Sequence, residues 1–277
     1  MQKTWFITGA GRGLGAEIAK AALRAGDIVV AAGRNRAAVS DRLGPNSSSL
    51  LSVQLDVNDE AQAQAAVATA VDRFGTIDVL VNNAGYGHLG LFEEATVQDV
   101  QAQFGTNLFG VFSVTRAVLP VMRAARKGRI FNVSSTAGMR GLAFGSLYCA
   151  SKFALEGFSE SLAQEIAPFG IRVTIVEPGP FRTDFLSAES IRFGEHAVAD
   201  YDDRRSALRA SFEQRNGKQP GDPVKLAEAI VHLASEPEPP LRFVGGAIAF
   251  DSISAKLVDM QTELDRWRPL SVGMDLA

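Results

Sequence analysis

The sequence predicts a single α/β domain in which one doubly wound parallel sheet of seven strands carries helices on both faces. Short apolar runs rich in β-branched residues alternate with longer segments of helical periodicity, as in βαβ units. The runs are apolar almost throughout, which is typical of parallel strands buried on both sides. The 277 residues contain no repeat, low-complexity stretch or linker that separates two domains, so we expect residues 1–277 to form one domain.

Seven strands and six helices follow from these patterns. Strands are predicted near residues 4–8 (TWFIT), 27–32 (DIVVAA), 50–55 (LLSVQL), 79–82 (VLVN), 129–133 (RIFNV), 172–176 (RVTIV) and 243–250 (FVGGAIAF). Helices are predicted near residues 14–25, 36–43, 59–74, 97–125, 147–167 and 223–234. Asp222 before Pro223 is a favourable N-cap followed by proline at the first helical position, which sets the start of the sixth helix.

Two segments depart from the alternation. Residues 185–219 mix apolar side chains with many charges and show no strand pattern, so we interpret them as an insertion over the functional site. Residues 251–277 form a C-terminal helical extension, with a helix near 254–267. Leu257, Met260 and Leu264 recur in it at helical spacing, and we expect this apolar face to pack on the domain.

Composition and charge exclude several classes of function. A net charge of −3 leaves no basic stripe for a phosphate backbone and no polybasic segment for anionic lipid, so we expect no nucleic-acid and no membrane partner. The N-terminus lacks a signal-peptide pattern, and no stretch approaches 18 uninterrupted apolar residues. The single Cys149 and the absence of a Cys/His cluster with ligand spacing predict a reducing, cytoplasmic location and no metal site.

A glycine-rich loop directly follows the first predicted strand and opens the first helix. Its sequence TGAGRGLG places Gly9, Gly13 and Gly15 where a tight turn, a close approach to a pyrophosphate and close helix packing require them. The helix N-terminus adds unpaired N–H donors and a partial positive charge for phosphates. We interpret the loop as the dinucleotide site of a Rossmann-like sheet; the alternative is a glycine-rich turn that binds nothing.

A tyrosine and a lysine four residues apart form the candidate catalytic pair. Tyr148 and Lys152 fall on one face of the fifth predicted helix. A nearby cation favours the phenolate and lowers the pKa of the phenol towards the working range. Ser134 and Ser135 follow the fifth strand, where side chains line the crevice of a parallel sheet. The alternatives are a surface Tyr–Lys pair and ordinary serine turn chemistry.

Taken in order, these motifs resemble the short-chain dehydrogenase/reductase family, of the single-domain type with a YxxxK centre. The matching segments are TGAGRGLG at 8–15, LDV at 55–57, NNAG at 82–85, Asn107, NVSS at 132–135, YCASK at 148–152 and PGPFRT at 178–183. They cover residues 3–184 densely and the remainder loosely.

The resemblance implies a role for each matching residue. Tyr148 would exchange a proton with the substrate oxygen, and Lys152 would lower the pKa of the Tyr148 phenol and bind the nicotinamide ribose. Ser135 would orient the substrate carbonyl. Asn107 would hold a water molecule of a proton relay. The resemblance and the loop analysis together assign the cofactor to Gly9, Gly11, Arg12, Gly13, Leu14, Gly15, Gly33, Arg34, Asp56, Val57, Asn83, Ala84, Gly85, Tyr148, Lys152, Pro178, Gly179 and Thr183.

The end of the second strand predicts NADP(H) rather than NAD(H). No acidic residue follows it to bind ribose hydroxyls and repel a 2′-phosphate. Arg34 at the strand end and Arg12 in the glycine loop can instead approach a 2′-phosphate from two sides. The alternative is that Arg34 and Arg36 are solvated residues at a helix start and that Arg12 is a bystander.

The predicted reaction is hydride transfer between a nicotinamide and a carbonyl or secondary alcohol. The expected pocket wall of Tyr86, His88, Met139, Leu142 and Phe144 favours an apolar or aromatic ketone, aldehyde or alcohol. The long insertion and the extra C-terminal helix resemble the hydroxysteroid and retinol dehydrogenase branch. Arg140, Arg192, Arg204 and Arg205 could bind an acidic group, and the alternative, which we favour, is that they form a solvated loop face. The alternatives are a 3-oxoacyl-carrier-protein reductase, a non-catalytic cofactor-sensing homologue, and a methyltransferase that leaves Tyr148 and Lys152 without a role.

The resemblance also implies self-association. Helices corresponding to 97–125 and 147–167 pair with their copies in members of the family, so we expect a homodimer or homotetramer. Phe104, Phe109, Phe112 and Phe158 are compatible with such a surface, and core packing is the alternative explanation for them.

Overall fold

A computed structural model describes residues 2–187 and 190–276 and contains the doubly wound parallel sheet. Its strands are β1 (Thr4–Thr8), β2 (Ile28–Gly33), β3 (Leu50–Gln54), β4 (Val79–Asn82), β5 (Gly87–His88), β6 (Gly128–Val133), β7 (Ile171–Pro178), β8 (Ile191–Arg192) and β9 (Arg242–Gly245). Seven of these described strands form the main sheet in the order β3-β2-β1-β4-β6-β7-β9, and all six pairings are parallel.

Helices cover both faces of that sheet. They are α1 (Gly13–Arg24), α2 (Arg36–Leu43), α3 (Glu60–Phe74), α4 (Val97–Phe104), α5 (Gly110–Ala125), α6 (Ser146–Ile166), α7 (Asp202–Arg215), α8 (Pro223–Leu233) and α9 (Ala247–Val272). Successive side chains of β1 point to opposite faces: Trp5 and Ile7 pack with the α1 and α8 side, and Phe6 packs with the α3 and α5 side. All three are fully buried, so the sheet has a core on each face.

The sheet order reverses between β1 and β4. From β1 the chain proceeds outward through β2 and β3, then returns to place β4 on the other side of β1. In an open parallel sheet the crevice for a ligand lies at the carboxyl ends of the strands beside such a reversal. The loops after β1, β4, β6 and β7 meet there.

The predicted helix 97–125 is interrupted in its middle. Residues Gly105–Phe109 form one turn of π-helix between α4 and α5. A stretch of 18 residues within Val97–Ala125 is apolar enough to cross a membrane by composition, with a mean hydropathy of 1.4. Here it packs on the sheet and on α3, with Val114, Val118 and Met122 fully buried. Part of its apolar surface therefore belongs to the core, and 39% of the apolar stretch is buried.

The C-terminal elements correct three predictions. The predicted strand 243–250 ends at Gly245, because Gly246 has a φ of +90° and the next residue begins α9. The predicted helix 254–267 is part of the longer α9. Its apolar face does not pack on the domain, since Leu257, Met260 and Leu264 are all exposed.

The insertion 185–219 contains regular structure that the sequence did not predict, and residues 188 and 189 within it lie outside the described part. Strand β8 pairs in parallel with β5, and α7 follows it. Arg205 of α7 binds Glu94, whose side chain is 4% exposed. Glu94 also accepts a hydrogen bond from the backbone of Val198, so the insertion is attached to the loop after β5 by a buried carboxylate.

Candidate active site

A cavity of about 1400 Å³ lies at the carboxyl ends of the central strands and continues beneath the insertion. Nearly all of the predicted site residues line it: Gly9, Gly11, Arg12, Gly13, Leu14, Gly33, Arg34, Asp56, Val57, Asn83, Ala84, Gly85, Ser135, Tyr148, Lys152, Pro178, Gly179 and Thr183. The two exceptions, Gly15 and Asn107, lie directly behind the wall and support it. The structure thus brings together residues up to 174 positions apart in the sequence, from Gly9 to Thr183.

The glycine-rich loop is held against the loop after β4. Gly9 has a φ of +66°, and a Cβ there would lie 3.0 Å from the Ala84 Cα. A Cβ on Gly15 would overlap the Asn83 amide and the Gly9 carbonyl. The Asn83 Nδ2 donates to the carbonyls of Thr8 and Gly9 at 3.0 and 3.3 Å. Gly15 therefore permits close packing, and Asn83 fastens the loop while also lining the cavity.

The loops after β2 and β3 form the far end of the cavity. Gly33 and Arg34 lie on its wall, and the Asn35 side chain caps α2 by accepting hydrogen bonds from two backbone N–H groups. Asp56 accepts hydrogen bonds from the backbone and side chain of Asn58. No acidic side chain follows β2, and the cationic Arg12 and Arg34 both line this end of the cavity.

Tyr148 and Lys152 lie near the start of α6 and are almost fully buried, at 8% and 6% exposure. Helical spacing puts both on the cavity side, with the Lys152 Nζ 5.8 Å from the centre of the Tyr148 ring. The ammonium donates a 2.8 Å hydrogen bond to the carbonyl of Val133 at the end of β6. Ser135 follows two residues later, and its hydroxyl accepts from the backbone of Ala137.

Burial is the largest cause of the pKa shift of both residues in this pair. Withdrawal from water raises the pKa of Tyr148 to about 12, and a hydrogen bond with Ser135 opposes the shift without reversing it. Burial likewise lowers the pKa of Lys152 to about 8, although the nearby Glu156 carboxylate favours its charged form. A raised pKa favours the protonated phenol at neutral pH.

Asn107 reaches the site because of the π turn. Its side chain accepts a hydrogen bond from the Tyr86 N–H at 3.1 Å and donates to the Tyr86 carbonyl at 3.0 Å. A Cβ added to Gly85 would lie 3.2 Å from the Asn107 Oδ1 and 3.8 Å from the Lys152 Nζ. The amide and the ammonium therefore flank the same glycine. π turns inside α-helices are frequent at functional sites.

A buried ionic cluster behind the catalytic pair was not found by sequence reasoning. Arg242 of β9 contacts both Glu156 on α6 and Glu177 on β7, and it reaches Glu160 at the surface. Burial raises the pKa of Glu156 and of Glu177, and the guanidinium opposes both shifts. The position of Glu156, one turn beyond Lys152, was the one sequence signal for this cluster.

The wall beneath the insertion is mainly apolar. Of the predicted wall residues, Tyr86, Leu142 and Phe144 line the cavity. His88 and Met139 are not among its lining residues; the His88 Nε2 lies 3.5 Å from an Asp99 carboxylate oxygen instead. The insertion, predicted to lie over the site, contributes the apolar lining residues Phe185, Leu186, Leu208 and Phe212, whereas Leu89 was not expected on the wall.

The four arginines expected near the substrate divide into two groups. Arg192 and Arg204 line the cavity. Arg205 is bound to Glu94, and Arg140 donates to the Ser252 carbonyl, so neither lines the cavity. Within residues 2–187 and 190–276 no group of three His, Cys, Asp or Glu side chains is arranged to hold a metal ion.

The chain has relatives along its whole length. "Oxidoreductase BOA17" of Botryotinia fuckeliana is 38% identical over 274 residues, which are 99% of each chain. The "3-ketodihydrosphingosine reductase" of Bacteroides thetaiotaomicron is 39% identical over 86% of this chain and 85% of its own.

Solved structures share the fold. A short-chain dehydrogenase from Streptomyces avermitilis superposes with a TM-score of 0.89 at 38% identity, covering 100% of this chain and 99% of its own. A 3-ketoacyl-(acyl-carrier-protein) reductase from Brucella melitensis, complexed with NADH, has a TM-score of 0.73 at 30% identity, covering 87% of this chain and 94% of its own. The family model described as short chain dehydrogenase matches residues 3–192. The chain is therefore an oxidoreductase that belongs to the short-chain dehydrogenase family.

Proposed function

We propose that the protein is an NADP(H)-dependent oxidoreductase that interconverts an apolar carbonyl compound and its alcohol. One observation carries the proposal: the phenol of Tyr148, the ammonium of Lys152 and the hydroxyl of Ser135 line the same cavity as the glycine-rich loop. A non-catalytic cofactor sensor has no need for this complete set of proton-handling groups.

The residues fit a dinucleotide at the loop end of the cavity. The left-handed Gly9 and the N-terminus of α1 leave backbone N–H groups for a pyrophosphate. A nicotinamide bound in the cavity supplies the hydride for the carbonyl carbon, or accepts it from the alcohol carbon. Thr183, whose Cβ lies 3.6 Å from the position a Cβ on Gly13 would take, and the Pro178-Gly179 turn would hold the nicotinamide end.

The chain's own groups manage the proton. In reduction Tyr148 donates its phenolic proton to the carbonyl oxygen as the carbon gains the hydride, and in oxidation it takes that proton back. The charge of Lys152 stabilises the phenolate, and the Ser135 hydroxyl donates a hydrogen bond to the carbonyl oxygen. We assign the return of protons from solvent to Lys152 and Asn107, which flank Gly85.

The expected pH profile of reduction follows from these pKa directions. Tyr148 keeps its proton throughout the neutral range, whereas Lys152 loses its charge above a pH of about 8. We therefore expect kcat for ketone reduction to be flat below about pH 8 and to fall above it. Steady-state rates between pH 6 and 10, with stability checked by preincubation, measure this. A reductive kcat that rises through pH 8 contradicts the assignment.

The substrate we propose is a ketone with a long or bulky apolar group. Leu142, Phe144, Phe185, Leu208 and Phe212 surround the inner cavity and favour an apolar partner through the area that they bury. The relative named for a 3-ketodihydrosphingosine supports the same class. Arg192 and Arg204 at this end would tolerate an acidic or polar head group, and a 3-oxoacyl thioester remains the alternative substrate.

Two kinds of substrate, methyl ketones of increasing chain length and acetoacetyl thioesters, test the proposed substrate class. We expect kcat/KM for methyl ketones to rise with each added methylene group, by up to about fourfold per group if the full 0.8 kcal/mol of a buried CH₂ is realised. Phe212→Ala should flatten this dependence by enlarging the pocket, whereas Phe92→Ala, at an exposed site outside the cavity, should leave it unchanged. Acetoacetyl thioesters that are much better substrates than apolar ketones would establish the alternative.

Location and assembly complete the proposal. We propose a cytoplasmic enzyme, because its one cysteine, Cys149, is a buried free thiol.

We also propose a homo-oligomer in which the faces of α5 and α6 pair. Of the four phenylalanines compatible with such a surface, Phe109 is 54% exposed, whereas Phe104, Phe112 and Phe158 are partly buried in a small cluster of their own.

A further inference from the structure

Two guanidinium groups lie at the opening of the cavity beneath the insertion. Arg192 on β8 and Arg204 on α7 both line the cavity and are exposed. In the described part of the chain neither of them forms an ion pair with a carboxylate, whereas the neighbouring Arg205 is bound to Glu94. We call Arg192 and Arg204 the rim arginines. They place positive charge at the edge of a mainly apolar cavity.

The rim arginines belong to one side of the opening. The Leu89 N–H donates a 2.9 Å hydrogen bond to the carbonyl of Arg192. The next residue along, Gly90, donates from its N–H to the carbonyl of Phe144 at 2.7 Å. The Arg204 Cζ lies 5.3 Å from the centre of the Phe144 ring. Two adjacent residues of one loop therefore connect the strand that bears Arg192 to the ring beneath Arg204.

The backbone of Phe144 is strained where it supports Arg204. Its φ is +63°, in the left-handed region that residues other than glycine rarely adopt. Strained conformations of this kind cluster at binding sites, where the surrounding structure holds them in place. The Phe144 ring lines the cavity. A guanidinium stacked on an aromatic face keeps its N–H donors available at its edge, so Arg204 can still bind a ligand.

Acidic side chains do not balance the charge at this part of the wall. Among the described residues that line the cavity, only Asp56 and Asp184 are acidic, and Asp56 lies at the far end with the cofactor loops. Beneath the insertion Asp184 is outnumbered by the rim arginines and Arg215. Arg215 is roughly 16 Å further along α7 than Arg204, at 1.5 Å per residue. The wall beneath the insertion therefore has an excess of positive charge, which attracts anions.

We propose that the rim arginines bind an anionic group, a carboxylate or a phosphate, at the end of the apolar substrate. The proposal rests on the proposed function, because it adds a charged end to the apolar ketone assigned to this cavity. The carbonyl would lie at Tyr148, the apolar chain along Leu208 and Phe212, and the anion at the opening. Guanidinium groups match the oxygen pairs of both anions. The arginines would therefore select substrates by chain length as well as by charge.

Methyl ketones of graded chain length that end in a carboxylate, a methyl ester or a trimethylammonium group test the proposal. For chains that reach the rim arginines, we expect the carboxylate to exceed the ester in kcat/KM by about tenfold, as for a partly screened charged hydrogen bond. The trimethylammonium ketone should be the poorest of the three. Added salt should reduce the advantage of the carboxylate, because the rim arginines are exposed.

A second substrate pair tests phosphate as the anion. Acetoacetyl-coenzyme A carries phosphate groups, and the acetoacetyl thioester of N-acetylcysteamine lacks them. If the rim arginines bind phosphate, we expect kcat/KM to be about tenfold higher for the coenzyme A thioester. The two pairs of substrates thus show which anion the site accepts.

Variants of the rim arginines show whether they cause the preference. Arg192→Gln and Arg204→Gln should each reduce the kcat/KM ratio of the anionic to the neutral substrate by about three- to tenfold. Arg204→Glu should favour the trimethylammonium ketone over the carboxylate. Arg209→Gln is the matched control, because Arg209 is exposed on the same helix and stacks on Phe193 at 4.8 Å but does not line the cavity. It should keep the wild-type ratio.

Binding measurements separate this proposal from the proposed function. In calorimetric titrations of the protein saturated with NADP⁺, decanoate should bind more tightly than decanol, and Arg204→Gln should weaken decanoate binding about tenfold. Such binding without reduction of any ketone would contradict the proposed function and leave the anion site supported. Equal kcat/KM for anionic and neutral substrates in both pairs would overturn the anion site. So would an equal loss of preference in Arg204→Gln and Arg209→Gln.

Discussion

Replacing Tyr148 with phenylalanine should lower kcat for ketone reduction by about 10²- to 10⁴-fold, the range over which a positioned general acid contributes. The ring fills the same volume and keeps its contact with Phe185, whose ring centre lies 5.6 Å away. The loss is therefore that of the proton donor alone. It corresponds to about 2.7–5.5 kcal/mol of barrier. Single-turnover reduction under saturating cofactor measures it.

The chain offers a matched control for this variant. Tyr86 lines the same cavity, and burial and the Asp99 carboxylate raise the pKa of its phenol as well. Tyr86→Phe removes one hydroxyl from the same pocket, and we expect kcat to change by less than about tenfold, because Tyr86 contacts Asn107 through its backbone. Cofactor Kd should change little in either variant. Near-normal turnover in Tyr148→Phe would remove this residue from the proposed mechanism.

The second large effect concerns the cofactor: we expect NADPH to bind tens to hundreds of times more tightly than NADH. Arg34 and Arg12 line the far end of the cavity, and β2 is not followed by an acidic side chain. If each guanidinium contributes ~1–2 kcal/mol through charged hydrogen bonds to a 2′-phosphate, the two together give that ratio. Fluorescence titration with both nucleotides measures it.

Substitution at Arg34 should remove most of the preference. Arg34→Ala is expected to weaken NADPH binding about tenfold with little effect on NADH, and Arg34→Asp should reverse the preference by repelling the phosphate. Arg36→Ala is the control, because Arg36 begins α2, is exposed and does not line the cavity. Gly33→Asp is a poorer test, since its Cβ would lie 2.9 Å from the buried Val39 side chain. Equal affinities of the wild type for NADPH and NADH would show that Arg12 and Arg34 do not recognise the 2′-phosphate.

Tertiary packing decided several features that local patterns missed. The predicted helix 97–125 has the periodicity of one continuous helix, and nothing in it marks the π turn that turns Asn107 towards Tyr86. The contact of Arg242 with Glu156 joins residues 86 positions apart. The raised pKa of Tyr148 depends on how much water the folded walls exclude, and the spacing of Tyr148 and Lys152 carries no information about that burial.

By itself, the sequence determined the doubly wound sheet, its central strands and the set of residues that meet at their carboxyl ends. It could do so because strand and helix periodicity, glycine turns and the order of motifs are local properties of the chain. The extent of the last strand and the exposure of α9 were decided by the tertiary structure. An apolar stripe such as Leu257, Met260 and Leu264 has the same helical pattern whether it covers its own domain or remains free. The choice depends on whether a complementary surface exists within reach, and this is a property of the whole fold.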